Sequence, residues 1–292
     1  QIGGVMLLIA GGGVISSDAS AELINFAETM NLPVAYSLMG KGAFPDNHPL
    51  CIQMVGMHGL AHTNLAFTEC DLLIGLGVRF DDRVTGKLAE FCPRADIVHI
   101  DIDPAEINKN VKTVLSIVGD VKNVLQKLLP YLENLEKKDY SQWHRQIAKW
   151  RERYPLRFEE KGLKPQAIIQ EINRLTNGEA YIATEVGQNQ MWAAQYVETL
   201  KPRHFLTSGG LGTMGYGFPA AIGAQVAHPE AIVFDIAGDG SFQMKSQEIA
   251  TAVQYGLPVN VVILNNNYLG MVRQWQEMFF EHLGFVEAIG VN

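Results

Sequence analysis

Residues 231–242 read AIVFDIAGDGSF, and this stretch decides the fold. Ala231–Ala237 is an apolar run interrupted only by Asp235, as expected of a strand buried on both faces of a parallel sheet. It delivers Gly238-Asp239-Gly240-Ser241-Phe242 at its C-terminal end. There Gly240 lets the chain turn sharply and Ser241 stands to cap a helix over Gln243–Tyr255. That helix closes at Gly256 with Pro258 beyond it, and Val259–Leu264 forms the next strand, ending in Asn265-Asn266-Asn267. In a parallel sheet both strand ends open onto one edge, so Asp239 and Asn266 are expected to converge there.

A carboxylate and a neutral amide oxygen suit a hard divalent cation. Mg²⁺ takes oxygen ligands and is held by one or two protein groups plus a substrate phosphate. A helix N-terminus behind Asp239 would offer N–H donors to the same phosphate. GDGS alone is also an ordinary turn and NNN an ordinary polar loop. Their placement on consecutive strand ends, 27 positions apart, favours the ligand reading.

Working outward, the alternation of short apolar runs with amphipathic stretches continues in both directions. Towards the N-terminus it predicts strands at Val5–Ala10, Leu32–Tyr36, Asp71–Gly75 and Ile97–Ile102. Helices are predicted near Ala19–Met30 and Ala61–Thr68, and Gly11-Gly12-Gly13 turns the first strand. These pieces make one doubly wound domain ending near Leu135. From Glu133 to Lys164 the chain becomes charged, with Trp143, Ile147 and Trp150 spaced as one face of a surface helix that Pro155 breaks before a linker. Helix Gln166–Leu175, strands Ala180–Thr184 and His204–Thr207 and helix Pro219–Ala227 follow. The expected class is α/β, with two doubly wound parallel-sheet domains at 1–156 and 157–292.

Composition excludes several classes. Of 292 residues 47% are hydrophobic and 18% charged, which leaves ample core material. Lys and Arg number 23 against 31 Asp and Glu, with no basic cluster, so nucleic acid is not an expected partner. Val5–Ala10 is far shorter than the roughly 20 residues needed to span a bilayer, so no membrane partner is expected. Cys51, Cys70 and Cys92 show no CxxC spacing, which fits a reducing cytoplasm. A chain starting at Gln1 without a charged leader reads as an internal piece of a longer protein, and import into an organelle stays compatible with it.

GDG followed at this spacing by NN resembles the thiamine-diphosphate signature. Val186-Gly187-Gln188-Asn189-Gln190-Met191-Trp192, Ser208–Gly217 (SGGLGTMGYG) and Leu269–Gln276 (LGMVRQWQ) narrow the resemblance to the catalytic subunits of the acetohydroxyacid synthase (acetolactate synthase) family. It runs from Ala10 to about Trp275 and covers the family's central and C-terminal domains. The resemblance implies that Asp239 and Asn266, with the Tyr268 carbonyl, hold Mg²⁺. Val186, Gly187, Gln188 and Asn189 would line the diphosphate site together with Gly240, Ser241, Leu269 and Gly270. Met214, with Gly212, would lie under the cofactor and force its bent shape, which makes proton removal intramolecular. Met271 and Trp275 would wall the substrate pocket, the Trp favouring a larger second ketoacid. The family usually carries His where Asn189 stands.

The implied reaction is decarboxylation of pyruvate and condensation with pyruvate or 2-oxobutanoate, in branched-chain amino-acid synthesis. A homodimer or tetramer with sites at the subunit interface is implied, as is a small regulatory subunit. The catalytic glutamate would come from an N-terminal domain of the neighbouring subunit, outside this chain, so the chain alone is expected to be inactive. After Glu281 the tail LGFVEAIGVN resembles a later helix of the family, so a loop before it is expected to be missing.

A second cofactor, FAD, is implied by three further segments. They contain Gly56, Met57, His58 and Gly59; Gly77, Arg79, Asp81 and Arg83; and Asp101 and Glu106. Gly75 and Gly77 permit close backbone approach, and Arg79 and Arg83 carry planar forks suited to a pyrophosphate. The alternative is a surface ion-pair cluster of Arg79, Asp81, Asp82 and Arg83. The flavin would be structural because the condensation involves no net redox change, and an FAD-independent catabolic acetolactate synthase is the neighbouring alternative.

Three other readings compete. Gly210–Gly215 matches GxGxxG and is trailed by Asp235, as in a dinucleotide-dependent dehydrogenase, although the helix is expected only at Pro219. His58 and His62, four apart, offer a metal pair without a third ligand. A nonenzymatic binding module is the third.

Overall fold

The computed structural model describes residues 4–132, 135 and 138–280. The chain divides into two units, Gln1–Arg157 with Thr199–Pro202, and Phe158–Glu198 with Arg203–Asn292.

Six parallel strands build the first unit: β1 (Met6–Ala10), β2 (Val34–Tyr36), β3 (Cys51–Met54), β4 (Leu72–Leu76), β5 (Asp96–Asp101) and β6 (Leu115–Val118). Their order is β3-β2-β1-β4-β5-β6, so the winding direction reverses between β1 and β4. Leu7, Leu8, Ile9 and Ala10 of β1 are wholly buried, as a central strand covered on both faces requires. At the reversal the backbones close on each other. A Cβ at Gly11 would fall 2.1 Å from the Gly77 carbonyl oxygen, and one at Gly13 would fall 2.6 Å from the Gly77 Cα. Gly77 itself has φ +53°, so only glycine suits this corner.

The charged segment does form a helix, Ser141–Arg153, but it is more than a surface helix leading to a linker. Trp143 and Ile147 are buried, and the Trp143 indole donates to the Met6 carbonyl at 3.2 Å. Arg151 donates to the Cys51 carbonyl at 2.8 Å, so both ends of the apolar face are docked on the first unit. Spacing of i, i+4 and i+7 gave the face its core side.

Four parallel strands build the second unit: β7 (Tyr181–Thr184), β8 (Phe205–Thr207), β9 (Val233–Gly238) and β10 (Asn260–Leu264), in the order β10-β9-β7-β8. Helix Gly217–Ala227 rests on β7 and β9 through Ala221 and Ala224, whose small side chains let it approach Ala183 and Val233. The continuous helix expected over Gln243–Tyr255 is instead broken. Helix Asp239–Gln243 is followed by a 3-10 turn at Ser246–Glu248 and a short helix Ile249–Gln254. The Ser246 hydroxyl competes for the Gln243 carbonyl at 3.4 Å, and no residue of Ile249–Gln254 is buried to hold one straight axis. Gly256 does end the segment, at φ +62°.

The tail LGFVEAIGVN lies outside the described residues. Among the described residues no helix is long and apolar enough to cross a membrane.

Candidate functional site

The register of β9 on β10 places Gly238 opposite Leu264, so Asp239 and Asn265–Asn267 leave the sheet side by side. The Asn266 N–H points at Asp239 Oδ1, 3.4 Å away. Asn266 Oδ1 accepts from the Tyr268 N–H at 3.0 Å, while Asn266 Nδ2 donates to Gln188 Oε1 at 3.4 Å. Gln188 Nε2 in turn donates to Gln274 Oε1 at 3.0 Å. The convergence expected of Asp239 and Asn266 is present, and both side chains are only half-buried.

Glycines set the approach around this point. Gly187, at φ +146°, precedes helix Gln188–Tyr196, and a Cβ there would meet Asn189 Oδ1 at 2.8 Å. A Cβ at Gly270 would fall 2.1 Å from Gln188 Oε1. One at Gly240 would meet Leu269 Cδ2 at 3.1 Å and Met214 Cε at 3.9 Å, and one at Gly212 would meet Val186 Cγ1 at 3.9 Å. Close approaches thus join Gly240 to Leu269 and Met214, Gly270 to Gln188 and Asn266, and Gly212 to Val186.

One expectation is corrected, and two expected site residues have their side chains engaged within the fold. Gly240 is not a turn, because helix Asp239–Gln243 starts one residue earlier; its value is the missing Cβ. Ser241 is buried, its hydroxyl accepting from the Gly238 N–H at 3.3 Å and donating to the Gly238 carbonyl at 3.2 Å, so its side chain braces the strand end. Asn189 is buried as well. Its amide donates to the carbonyls of Glu185 at 3.1 Å and Ile236 at 2.9 Å, which ties the ends of β7 and β9 and commits both N–H groups. The five-residue helix after Asp239 carries little dipole; helices Gln188–Tyr196 and Gly270–Phe279 begin near the same amides and are longer. On the latter, Met271 and Trp275 are one turn apart and half-buried, with Trp275 against Phe279 at 5.1 Å between ring centroids.

Sequence reasoning missed Glu185. Its carboxylate is enclosed and accepts from the N–H groups of Gly215 at 2.6 Å and Phe218 at 3.1 Å. Burial raises its pKa, with the surrounding amides opposing that shift. Asp235, also enclosed, has no hydrogen-bond partner on either oxygen among the described residues, and burial followed by the charge of Glu185 pushes it to about 8. An acid directly after a buried strand end was the only signal available. This carboxylate also removes the dehydrogenase reading. Helix Gly217–Ala227 starts after the glycines, and Glu185 occupies the N-terminus where a pyrophosphate would bind.

The first unit presents its own edge. Segments 54–59, 77–86 and 101–106 follow the C-terminal ends of β3, β4 and β5. The first two touch: Met57 N–H donates to the Arg83 carbonyl at 2.9 Å, and Gly56, at φ +110°, would set a Cβ 2.2 Å from that oxygen. Arg79 pairs with Asp81 at 3.6 Å and Arg83 with Asp82 at 2.7 Å, all near the surface, so the ion-pair cluster exists. Asp101 accepts from the Asp103 N–H at 2.9 Å, and Glu106 pairs with Lys109 at 2.7 Å. Burial, then Arg83, lowers the pKa of His58. His58 lies before helix Ala61–Glu69, not on its face with His62, so the two do not make the expected helical metal pair. Among the described residues no three His, Cys, Asp or Glu side chains cluster as metal ligands.

Comparison with known proteins defines the class. Residues 5–128 match the thiamine pyrophosphate enzyme central domain, and residues 185–287 match the thiamine pyrophosphate enzyme C-terminal TPP binding domain. The chain belongs to the thiamine pyrophosphate enzymes, of which it carries these two domains. Among its relatives, the acetolactate synthase large subunit of Haemophilus influenzae is 48% identical over 279 residues, 94% of this chain and 49% of that protein. The probable acetolactate synthase large subunit of Methanocaldococcus jannaschii is 52% identical over 282 residues, 94% of this chain and 48% of that protein. Acetolactate synthase 2, chloroplastic, of Nicotiana tabacum is 52% identical over 280 residues, 94% of this chain and 42% of that protein. The chain thus spans about half the length of the curated relatives it matches.

Proposed function

We propose that this chain is the central and C-terminal part of an acetolactate synthase catalytic subunit, which decarboxylates pyruvate and condenses it with pyruvate or 2-oxobutanoate. The observation that carries the reading is the meeting of Asp239, Asn266 and Gln188 at one strand edge, with Gly187, Gly240 and Gly270 keeping side chains off the approach. The donor set fits Mg²⁺: one carboxylate and one amide oxygen, half-open, leave positions for phosphate and water. The Asp239 and Asn266 side chains and the Tyr268 carbonyl would hold the ion, and Val186, Gly187, Gln188, Leu269 and Gly270 would line the diphosphate.

Thiamine diphosphate supplies the electron sink that decarboxylation needs. The chain's own residues bind and orient. Met214, two residues from Gly212, would support the cofactor, and Met271 and Trp275 would wall the acceptor side. FAD in the first unit is part of the reading as a structural group, with Arg79 and Arg83 turned from their carboxylate partners to its pyrophosphate. So are a homodimeric or tetrameric assembly with a small regulatory subunit, a cytoplasmic location, and a catalytic glutamate supplied from outside this chain. The test is acetolactate formation from pyruvate, with thiamine diphosphate, Mg²⁺ and FAD supplied. The complete protein should turn over and residues 1–292 alone should not. A complete protein without acetolactate product contradicts the activity, and full turnover by residues 1–292 contradicts the placement of the glutamate.

A further inference from the structure

Glu185 is wholly enclosed, yet no ligand role accounts for it. It follows β7, and its own N–H donates to the Ile236 carbonyl of β9 at 3.1 Å, so its backbone is fixed to the sheet. Its side chain reaches across to the turn before helix Gly217–Ala227. Oε2 accepts from the Gly215 N–H at 2.6 Å and Oε1 from the Phe218 N–H at 3.1 Å. One carboxylate thus clamps both ends of the Gly215–Phe218 turn, each of its oxygens on a different backbone N–H.

The stretch just before the held turn lies at the surface. Gly212 and Gly215 lie at φ +65° and +86°, Leu211 is 94% exposed, and residues 210–213 are all exposed. The Gly212 N–H donates to the Ser208 carbonyl at 3.1 Å, and the Thr213 N–H to Ser208 Oγ at 3.0 Å. Met214 stands between this exposed stretch and Gly215, the first residue that Glu185 grips. Beneath, a Cβ at Gly217 would come 2.4 Å from Asp235 Oδ1, so the turn is seated against the sheet and cannot sink further.

We propose that Glu185 is a positioning residue for the cofactor site: by holding the Gly215 and Phe218 amides together it sets the position of Met214 at the cofactor. The proposal rests on the reading of Met214 given above. A carboxylate that only capped the helix would affect folding without acting through Met214.

The experiment is a double-mutant cycle in the complete protein with Glu185→Gln, Met214→Ala and both together. Thiamine diphosphate affinity is titrated in Mg²⁺, and amide hydrogen exchange of residues 209–218 is followed in the cofactor-free protein. Glutamine replaces one acceptor oxygen with an NH₂ group that cannot accept. Exchange in the segment should rise by about tenfold or more, and cofactor affinity should fall about tenfold in the Glu185→Gln protein. In the Met214→Ala background the second loss should largely vanish, because the two residues act as one unit. Additive losses, or unchanged exchange and affinity, overturn the proposal. If Glu185→Gln does not fold, Glu185→Asp, which keeps the charge but falls short by one methylene, enters the same cycle under the same criteria. A wild-type protein that binds no thiamine diphosphate overturns the site reading and this proposal together, whereas normal wild-type binding with additive losses overturns this proposal alone.

Discussion

At the C-terminal edge of its sheet the first unit closes glycine on glycine, whereas the second sets amides and a carboxylate at a half-open edge. In the first, Gly11, Gly13 and Gly77 pack backbone to backbone, and the charged groups outside them pair with one another. In the second, a run of neutral amides leads from Gln274 through Gln188 to Asn266 and ends beside Asp239. The buried ionisable groups differ as well. The first unit encloses a Lys41–Asp46 ion pair together with His62 and His99, whose pKa values burial lowers, whereas the second encloses Glu185 and Asp235, whose pKa values burial raises. One edge is specified by shape and the other by chemistry, so substitutions should fail differently in each.

The largest expected stability effect tests the shape side. Gly77→Ala places a Cβ 2.6 Å from the Gly13 Cα at φ +53°, with backbone on the opposing side and nothing flexible to yield. It should destabilise the first unit by about 3 kcal/mol or more. Gly256→Ala, at φ +62° but with nothing within 4 Å, should cost only about 1 kcal/mol. Denaturant unfolding compares them, and equal costs would show that the glycine contact is not what closes the first edge.

A smaller effect, at most about 1.4 kcal/mol for each pH unit, separates the two units by pH. Asp235 is raised from 3.8 to about 8, so the folded second unit holds a proton that the unfolded chain has lost. Its contribution is complete below pH 3.8 and is lost as pH rises to about 8, by at most about 1.4 kcal/mol per pH unit. His62 has the opposite sign. Burial, then Arg151, lowers it from 6.5 to about 4, so the first unit loses stability as pH falls between those values. Hydrogen exchange resolved by unit should show the second unit gaining from Asp235→Asn increasingly towards pH 8, with the first unaffected. A gain independent of pH would mean that Asp235 is ionised in the folded protein.

The smallest effect on stability belongs to the exposed ion pairs. Arg79→Gln and Arg83→Gln should each change stability by no more than about 0.5 kcal/mol, since such pairs are screened and conformationally costly. If these forks serve a flavin pyrophosphate, FAD affinity of the complete protein should nevertheless fall about tenfold for each. Unchanged FAD affinity would leave them as surface pairs and blunt the contrast between the edges.

Much of this was legible from apolar runs. β1, β4, β5, β9 and β10 fall within two residues of expectation because each is a run of adjacent apolar residues, and the strand-end pairing of Asp239 with Asn266 followed from them. Other elements carried no such signal. β3 is CIQM with Gln53 at φ +65°, β6 exposes all four of its residues, and helix Val121–Leu132 contains Pro130. Helix Gln188–Tyr196 buries Asn189 and Gln190 along with Ala193 and Ala194, so apolar periodicity could not mark it. Glu185 was invisible for a different reason: its partners lie 30 and 33 positions away, and local sequence cannot show which loop a buried carboxylate will grip. Asn189 and Ser241 were placed at the right strand ends, but bonds to backbone decided where their side chains point, a long-range one to Ile236 for Asn189 and a local one to Gly238 for Ser241.

Calorimetric titration of the complete protein with thiamine diphosphate, with and without Mg²⁺, in wild type and Asp239→Ala, tests the metal-bound diphosphate site most directly. Wild type should bind only with Mg²⁺, and the variant should bind at least about 100-fold more weakly while unfolding at the same denaturant midpoint without cofactor. Equal affinity of the two proteins, or binding indifferent to Mg²⁺, would contradict the claim that the second unit's strand edge holds a metal-bound diphosphate.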